Sequence, residues 1–140
     1  MHHDDIASEL MDVCLSQSKG ASAFADAISL RGEDSMLLYL LRADARVSAG
    51  DLSAGLGLTS GRVANIIRRL EEKGLVNREN DACDMRRVMV GLTESGKAAA
   101  EMRLEGCRQR LDSIVDVVGC DDTQVMLRAL RRLDVHYSSI

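Results

Sequence analysis

Apolar positions recur with helical spacing along most of the chain and with strand spacing in one short region only. From Asp4 to Ser18 a helix is predicted, with Ile6, Leu10, Val13, Cys14 and Gln17 on one face and Lys19-Gly20 ending it. Ala21 to Leu30 is rich in Ala, moderately helical, and broken at Gly32. Glu33 to Arg42 carries Met36, Leu37, Leu38, Leu40 and Leu41 around Tyr39. A helix that is apolar nearly all round is buried from several sides, so this one is expected at the domain's centre. Ser48-Ala49-Gly50-Asp51 places a hydroxyl at an N-cap and an acid three residues on, the pattern of a capping box. A short helix should follow to about Leu56, with Leu52 and Leu56 inward, before Gly57-Leu58 turns the chain into Thr59.

The pattern is most informative from Thr59 to Thr93. Val63, Ile66, Ile67 and Leu70 fall at i, i+3, i+4 and i+7, which makes one apolar stripe. Ser60, Arg62, Ala64, Asn65, Arg68 and Arg69 lie on the opposite face. Thr59 can cap the first turn with its hydroxyl, and Gly74 falls where a left-handed residue ends a helix. Two helices joined by a short turn containing Gly form a helix-turn-helix, whose second helix enters the major groove of DNA. Two short strands are then predicted, Leu75 to Glu79 and Arg87 to Leu92. In the second, Val88, Val90 and Leu92 alternate with Arg87, Met89 and Gly91, as expected of a strand with one buried face. The turn between them, Asn80 to Arg86, is polar and ends on arginine. A polar, arginine-bearing helix beside a basic hairpin is the geometry of a winged helix suited to duplex DNA.

Beyond the hairpin, Thr93 caps a helix from about Glu94 to Val118, roughly 30 Å or more in length at the rise of an α-helix. Met102, Leu104, Leu111, Ile114, Val115 and Val118 make a broken stripe along it. Gly119 stops it, and Asp121-Asp122 open a last helix through about Tyr137 with Val125, Leu127, Leu130 and Leu133 apolar. These helices carry more apolar surface than a small winged helix can cover, which points to dimerisation through both ends of the chain. The expected fold is mainly α with a small β-wing: a winged helix-turn-helix with N- and C-terminal dimerisation helices. Its segments are 1–32 (dimerisation), 33–95 (DNA-binding lobe) and 96–140 (dimerisation).

Composition adds three points. With one Phe, two Tyr and no Trp, the core must be aliphatic, and the absence of Pro suits long helices. No apolar run approaches the roughly 20 residues of a membrane span, and the acidic start MHHDDIASEL has no secretory pattern, so a soluble cytoplasmic protein without membrane contact is expected. The net charge of −4 is unpromising for a DNA binder until it is divided. Residues 1–57 carry net −5 and residues 91–140 net −1, while residues 58–90 hold seven basic and five acidic side chains, net +2. The local field governs contact with nucleic acid, and the one positive stretch is the helix-hairpin. The cysteines, at 14, 83, 107 and 120, form no CxxC pair, and His2, His3 and His136 are not at metal-ligand spacing, so free thiols and no metal site are expected. No nucleophile–base–orienter set or phosphate-binding glycine loop is present, which argues against an enzyme and against a cofactor.

The stretch DLSAGLGLTSGRVANIIRRLEEKGLV, followed by the wing pattern D-x-R…L-T-x-x-G at Asp84, Arg86, Leu92, Thr93 and Gly96, resembles the MarR family of transcriptional regulators over roughly Met36 to Ala100. The resemblance implies a homodimer with interleaved terminal helices and two winged lobes reading a palindromic operator in double-stranded DNA. It also implies repression, relieved by a small phenolic or aromatic effector or, in some members, by thiol oxidation.

Thr59, Ser60, Arg62, Asn65, Arg68 and Arg69 are the candidate groove-facing set. Arg and Asn can bond guanine and adenine edges in bidentate fashion, although half or more of protein–DNA bonds go to the backbone. The plainer alternative is that these side chains only solvate a helix. The resemblance implies that Arg86 is a wing arginine entering the minor groove, and that Asp84 braces the wing by pairing with a nearby arginine. Arg87 would point to the strand's other side, toward phosphate. Cys14 is the candidate redox thiol by resemblance, but a reactive thiol needs cationic neighbours, and its place on an apolar face beside Asp12 favours packing. Cys107 and Cys120 are also expected to pack, with Cys83 the most exposed. Phe24, Met36 and Tyr39 are candidates for an effector pocket, set against ordinary core packing. A winged helix turned protein-interaction module is the competing function; it would lack the arginines that stand here at positions 62, 68 and 69.

Overall fold

Local signals set most element boundaries. The computed structural model describes residues 2–139. Helix α1 (His3–Leu15) is followed by α2 (Lys19–Ile28). Between them Gln17 adopts φ 51°, and the Ser18 side chain accepts the Ala21 amide at 3.3 Å. Lys19-Gly20 therefore begins α2 instead of ending α1, because a serine one residue earlier supplies the cap. Helix α3 (Gly32–Ala43) starts at Gly32 and ends at Asp44, which is left-handed with φ 49°.

Next come strand β1 (Val47–Ser48), helix α4 (Ala49–Leu56) and helix α5 (Ser60–Glu72). Ser48 caps α4, accepting the Asp51 amide at 3.1 Å. The Asp51 carboxylate, expected to complete a capping box, instead takes Arg87, whose Nη2 lies 3.3 Å away. Thr59 caps α5 through the Arg62 amide at 3.2 Å. At the other end the Gly74 amide reaches the Glu71 carbonyl and the Leu75 amide reaches the Leu70 carbonyl, both at 2.9 Å. This paired pattern is a Schellman motif, and Gly74 supplies the left-handed residue it needs, with φ 74°.

Strands β2 (Val76–Asn80) and β3 (Val88–Leu92) form the hairpin, and β1 joins its inner side, so the sheet runs β1-β3-β2, antiparallel throughout. Two-residue β1 carries no alternation of its own, which hides it in the sequence. The alternation expected in β3 holds only in part. Val90 is fully buried, Val88 and Leu92 are half-buried, and Gly91 is buried as well. The Arg46 side chain covers Gly91 so closely that an added Cβ would meet its Cγ at 3.0 Å.

Helix α6 (Glu94–Val118) begins at the L-T-x-x-G stretch. The Thr93 hydroxyl accepts the Gly96 amide at 3.0 Å and donates to the Gly74 carbonyl at 2.6 Å. Gly96 is buried against the backbone of Leu75, with no room for a Cβ. Helix α7 (Cys120–Ser138) completes the chain after Gly119.

Residues 30–106 form one compact unit and residues 1–29 with 107–140 another, so α6 contributes to both. The core of the first unit joins Met36, Leu37 and Leu40 of α3 to Leu52 of α4, the α5 stripe Val63, Ile66, Ile67 and Leu70, and Val76, Val90 and Ala100. Burying one such large side chain contributes about 1.5–3 kcal/mol, so the stripe fixes which face of α5 remains in solvent. In the second unit neither α1 nor α7 has a buried residue among those described. Leu10 is 63% exposed, Val125 52% and Leu133 51%. Within the single chain Cys14 and Cys120 are exposed, where packing was expected. Cys107 is buried, and Arg110 Nη2 donates to its sulfur at 3.1 Å.

Candidate nucleic-acid interface

With its apolar stripe in the core, α5 turns Ser60, Arg62, Ala64, Asn65, Arg68 and Arg69 to solvent. Thr59 is also exposed, its hydroxyl committed to the helix cap. Arg68 Nη2 donates to Asn65 Oδ1 at 3.4 Å, one turn away on the same face. Arg69 Nε lies 3.9 Å from Glu33 of α3, and Lys73 Nζ donates to the same carboxylate at 2.7 Å. Arg62 has no side-chain hydrogen bond or ion pair among the described residues.

Ion pairs fasten the hairpin to the helices. Arg78 of β2 donates to both carboxylate oxygens of Glu71 on α5, at 3.1 and 2.8 Å. This fork holds the Glu71 carboxyl below the usual carboxylate range and raises Arg78, the hydrogen bond being the larger cause in each case. Arg46, just before β1, reaches across β3 over Gly91 to Glu79 of β2, with Nη2 to Oε1 at 3.1 Å.

Asp84 braces the wing tip, but through the backbone and not through an arginine side chain. Its carboxylate accepts the Arg86 amide at 3.0 Å, and its carbonyl accepts the Arg87 amide at 3.0 Å. The Asp81 amide then closes the loop on the Arg87 carbonyl at 2.8 Å. Such an aspartate turn needs no partner side chain. It leaves the exposed Arg86 guanidinium without a hydrogen bond or ion pair among the described residues. Arg87 is the wing arginine that is tied down, to Asp51 at the start of α4.

Sequence reasoning missed Arg46, Glu33 and Asp51 as parts of this surface. Their partners lie 33, 40 and 36 residues away, so no local pattern marks them. The effector candidates fall on different units. Met36 is fully buried in the core, and Tyr39 packs over Gly55, where a Cβ would meet its ring at 2.5 Å. Phe24 is half-buried on α2, in the other unit. No group of His, Cys, Asp or Glu side chains suited to a metal ion occurs among the described residues.

A family model for winged helix-turn-helix DNA-binding domains matches residues 34–77, which run from α3 into β2. The uncharacterized HTH-type transcriptional regulator YcgE of Bacillus subtilis is 32% identical over 104 residues, covering 69% of this chain and 68% of YcgE. The uncharacterized HTH-type regulator YwhA of the same organism is 23% identical over 137 residues, covering 95% and 99%. Among solved structures, MarR is similar with a TM-score of 0.69 at 21% identity, over 99% of this chain and 95% of MarR. MepR of S. aureus in complex with DNA has a TM-score of 0.67 at 21% identity, over 98% and 99%. BpsR of Bordetella bronchiseptica, whose DNA binding is regulated by 6-hydroxynicotinic acid, has a TM-score of 0.68 at 21% identity, over 96% of each chain. The helix-turn-helix and wing built from residues 30–106 therefore have both a fold and relatives to match: the chain shares the fold of MarR and belongs to the HTH-type transcriptional regulators with a winged helix-turn-helix DNA-binding domain.

Proposed function

We propose that the protein is a repressor that binds a palindromic operator as a homodimer and is released by a small-molecule effector. The observation that carries the DNA-contact part is the presence of two cations without a side-chain partner among the described residues, Arg62 on the solvent face of α5 and Arg86 at the tip of the adjoining wing. Charged donors that the fold leaves uncommitted are available to phosphates and base edges. In this reading α5 lies in the major groove. Thr59, Ser60, Arg62, Asn65, Arg68 and Arg69 face the duplex, Arg86 enters the minor groove, and Arg87 sits near the backbone with Asp84 shaping the tip. Asn65 and Arg68, already in contact, read as a unit.

The dimer is supported by the exposed apolar residues of α1, α6 and α7, among them Leu10, Met102 and Val135. Exposed apolar side chains on successive helices are the kind of surface that a partner covers. A two-fold dimer would present two copies of α5, which is why the operator is taken to be palindromic. For the effector, the regulation of BpsR by 6-hydroxynicotinic acid is the precedent. Met36 is closed off by its own packing, whereas Tyr39 of α3 stays partly exposed and so remains available to a small aromatic ligand; Phe24, in the other unit, is also partly exposed. A cytoplasmic location belongs to the same proposal; no helix of the described residues is long and apolar enough to cross a membrane.

The test is selection of bound duplexes from a random pool, followed by sedimentation of the protein with and without the selected site. The expected result is an inverted repeat bound by two chains. Enrichment of no sequence would overturn the repressor reading in favour of a protein-interaction module.

A further inference from the structure

The acidic side chain nearest the arginines of α5 is Glu33, in the first turn of α3. Its side chain is only 19% exposed, and its two oxygens face two cations of α5: Lys73 Nζ at 2.7 Å and Arg69 Nε at 3.9 Å. Lys73 is the C-cap of α5. The pair thus joins the start of one helix to the end of another, where a carboxylate and an ammonium each also meet a favourable helix dipole. The next residue, Asp34, takes Arg103 of α6. A single turn of α3 therefore holds both the end of α5 and the first half of α6.

A carboxylate beside a DNA-facing arginine is unfavourable on charge alone, since it repels phosphate and competes for the arginine. We propose that Glu33 is a positioning residue for DNA recognition: it fixes the angle of α5 against α3 through Lys73 and steadies Arg69. This inference rests on the reading of α5 as the recognition helix. Positioning and simple charge predict opposite signs. Loss of the negative charge at position 33 should strengthen DNA binding if charge is all that matters, and weaken it if the carboxylate aims the helix.

The experiment compares three variants with the wild type on the duplex that the wild type itself selects from a random pool, across a salt series. Glu33→Gln is expected to bind about two- to fivefold more weakly, the range that follows from losing one partly shielded ion pair. Its slope of log affinity against log salt should be unchanged, because no phosphate contact is removed. Glu33→Asp keeps the charge but withdraws the carboxylate by one methylene, so it should also bind more weakly. Glu72→Gln removes an exposed acid of α5 that has no ion pair among the described residues, and should bind as tightly as the wild type or more so. Binding by Glu33→Gln and Glu33→Asp at or above the wild-type affinity overturns the positioning role while leaving α5 as the recognition helix. A wild type that selects no sequence removes that underlying reading, and this inference with it.

Discussion

Gly96 at the start of α6 and Leu75 after α5 meet backbone to backbone, and a Cβ on Gly96 would overlap the Leu75 carbonyl oxygen. That oxygen also accepts the Thr93 amide at 3.1 Å, so it cannot move away without breaking the junction between hairpin and helix. The glycine of the L-T-x-x-G stretch is therefore required by a close approach and not by a positive φ. Gly96→Ala is expected to cost about 3 kcal/mol or more, the upper end for overpacking, because the obstructing atom is backbone. Urea unfolding monitored by circular dichroism checks this; a variant as stable as the wild type would contradict the geometry.

Arg86 is exposed at the wing tip, and its backbone amide, not its side chain, takes part in the Asp84 turn. Arg86→Ala should leave the melting temperature unchanged and weaken operator binding by about tenfold or more, as expected for loss of a groove-inserted arginine. Equal affinity at physiological salt would remove the wing from the DNA interface.

The fork between Arg78 and Glu71 lowers the carboxyl's folded value below its unfolded one. A group depressed in this way adds stability above its unfolded value and loses it as pH falls through the folded value. The difference in urea midpoint between wild type and Arg78→Gln should accordingly be present at about pH 7 and shrink toward about pH 3. A difference independent of pH would show that the arginine acts through packing alone.

Cys83 lies at the exposed wing tip, on none of the helices proposed to form the dimer, whereas Cys14 lies on α1 among exposed apolar residues. In the dimer, thiol labelling followed by mass spectrometry should modify Cys83 rapidly and Cys14 slowly, with the buried Cys107 slowest. Dilution that separates the chains should bring the Cys14 rate toward that of Cys83. Rapid labelling of Cys14 at all concentrations would remove α1 from the interface.

Much of the winged lobe was legible because its signals are local. Thr59, Ser48 and Thr93 are caps whose partners lie three residues on, Gly74 is a helix stop, and the α5 stripe has a fixed period. The same pattern placed the solvent face of α5 correctly. Illegible were contacts made across the chain. The Arg46–Glu79 bridge, the Glu33–Lys73 pair and the Asp51–Arg87 pair join residues more than 30 positions apart. Arg46 also explains why strand β3 breaks its alternation at Gly91. The exposure of Cys14 and Cys120 within one chain has a different origin. An apolar helical stripe says that a face will be covered but not by which chain, and within one chain those faces remain open.

The most direct test of the central claim is the affinity of the purified protein for a selected duplex and for its scrambled counterpart across a salt series. The account predicts tight binding that strongly favours the selected sequence, and affinity that falls steeply with salt as phosphate contacts are screened. Weak binding of equal strength to both duplexes would contradict it.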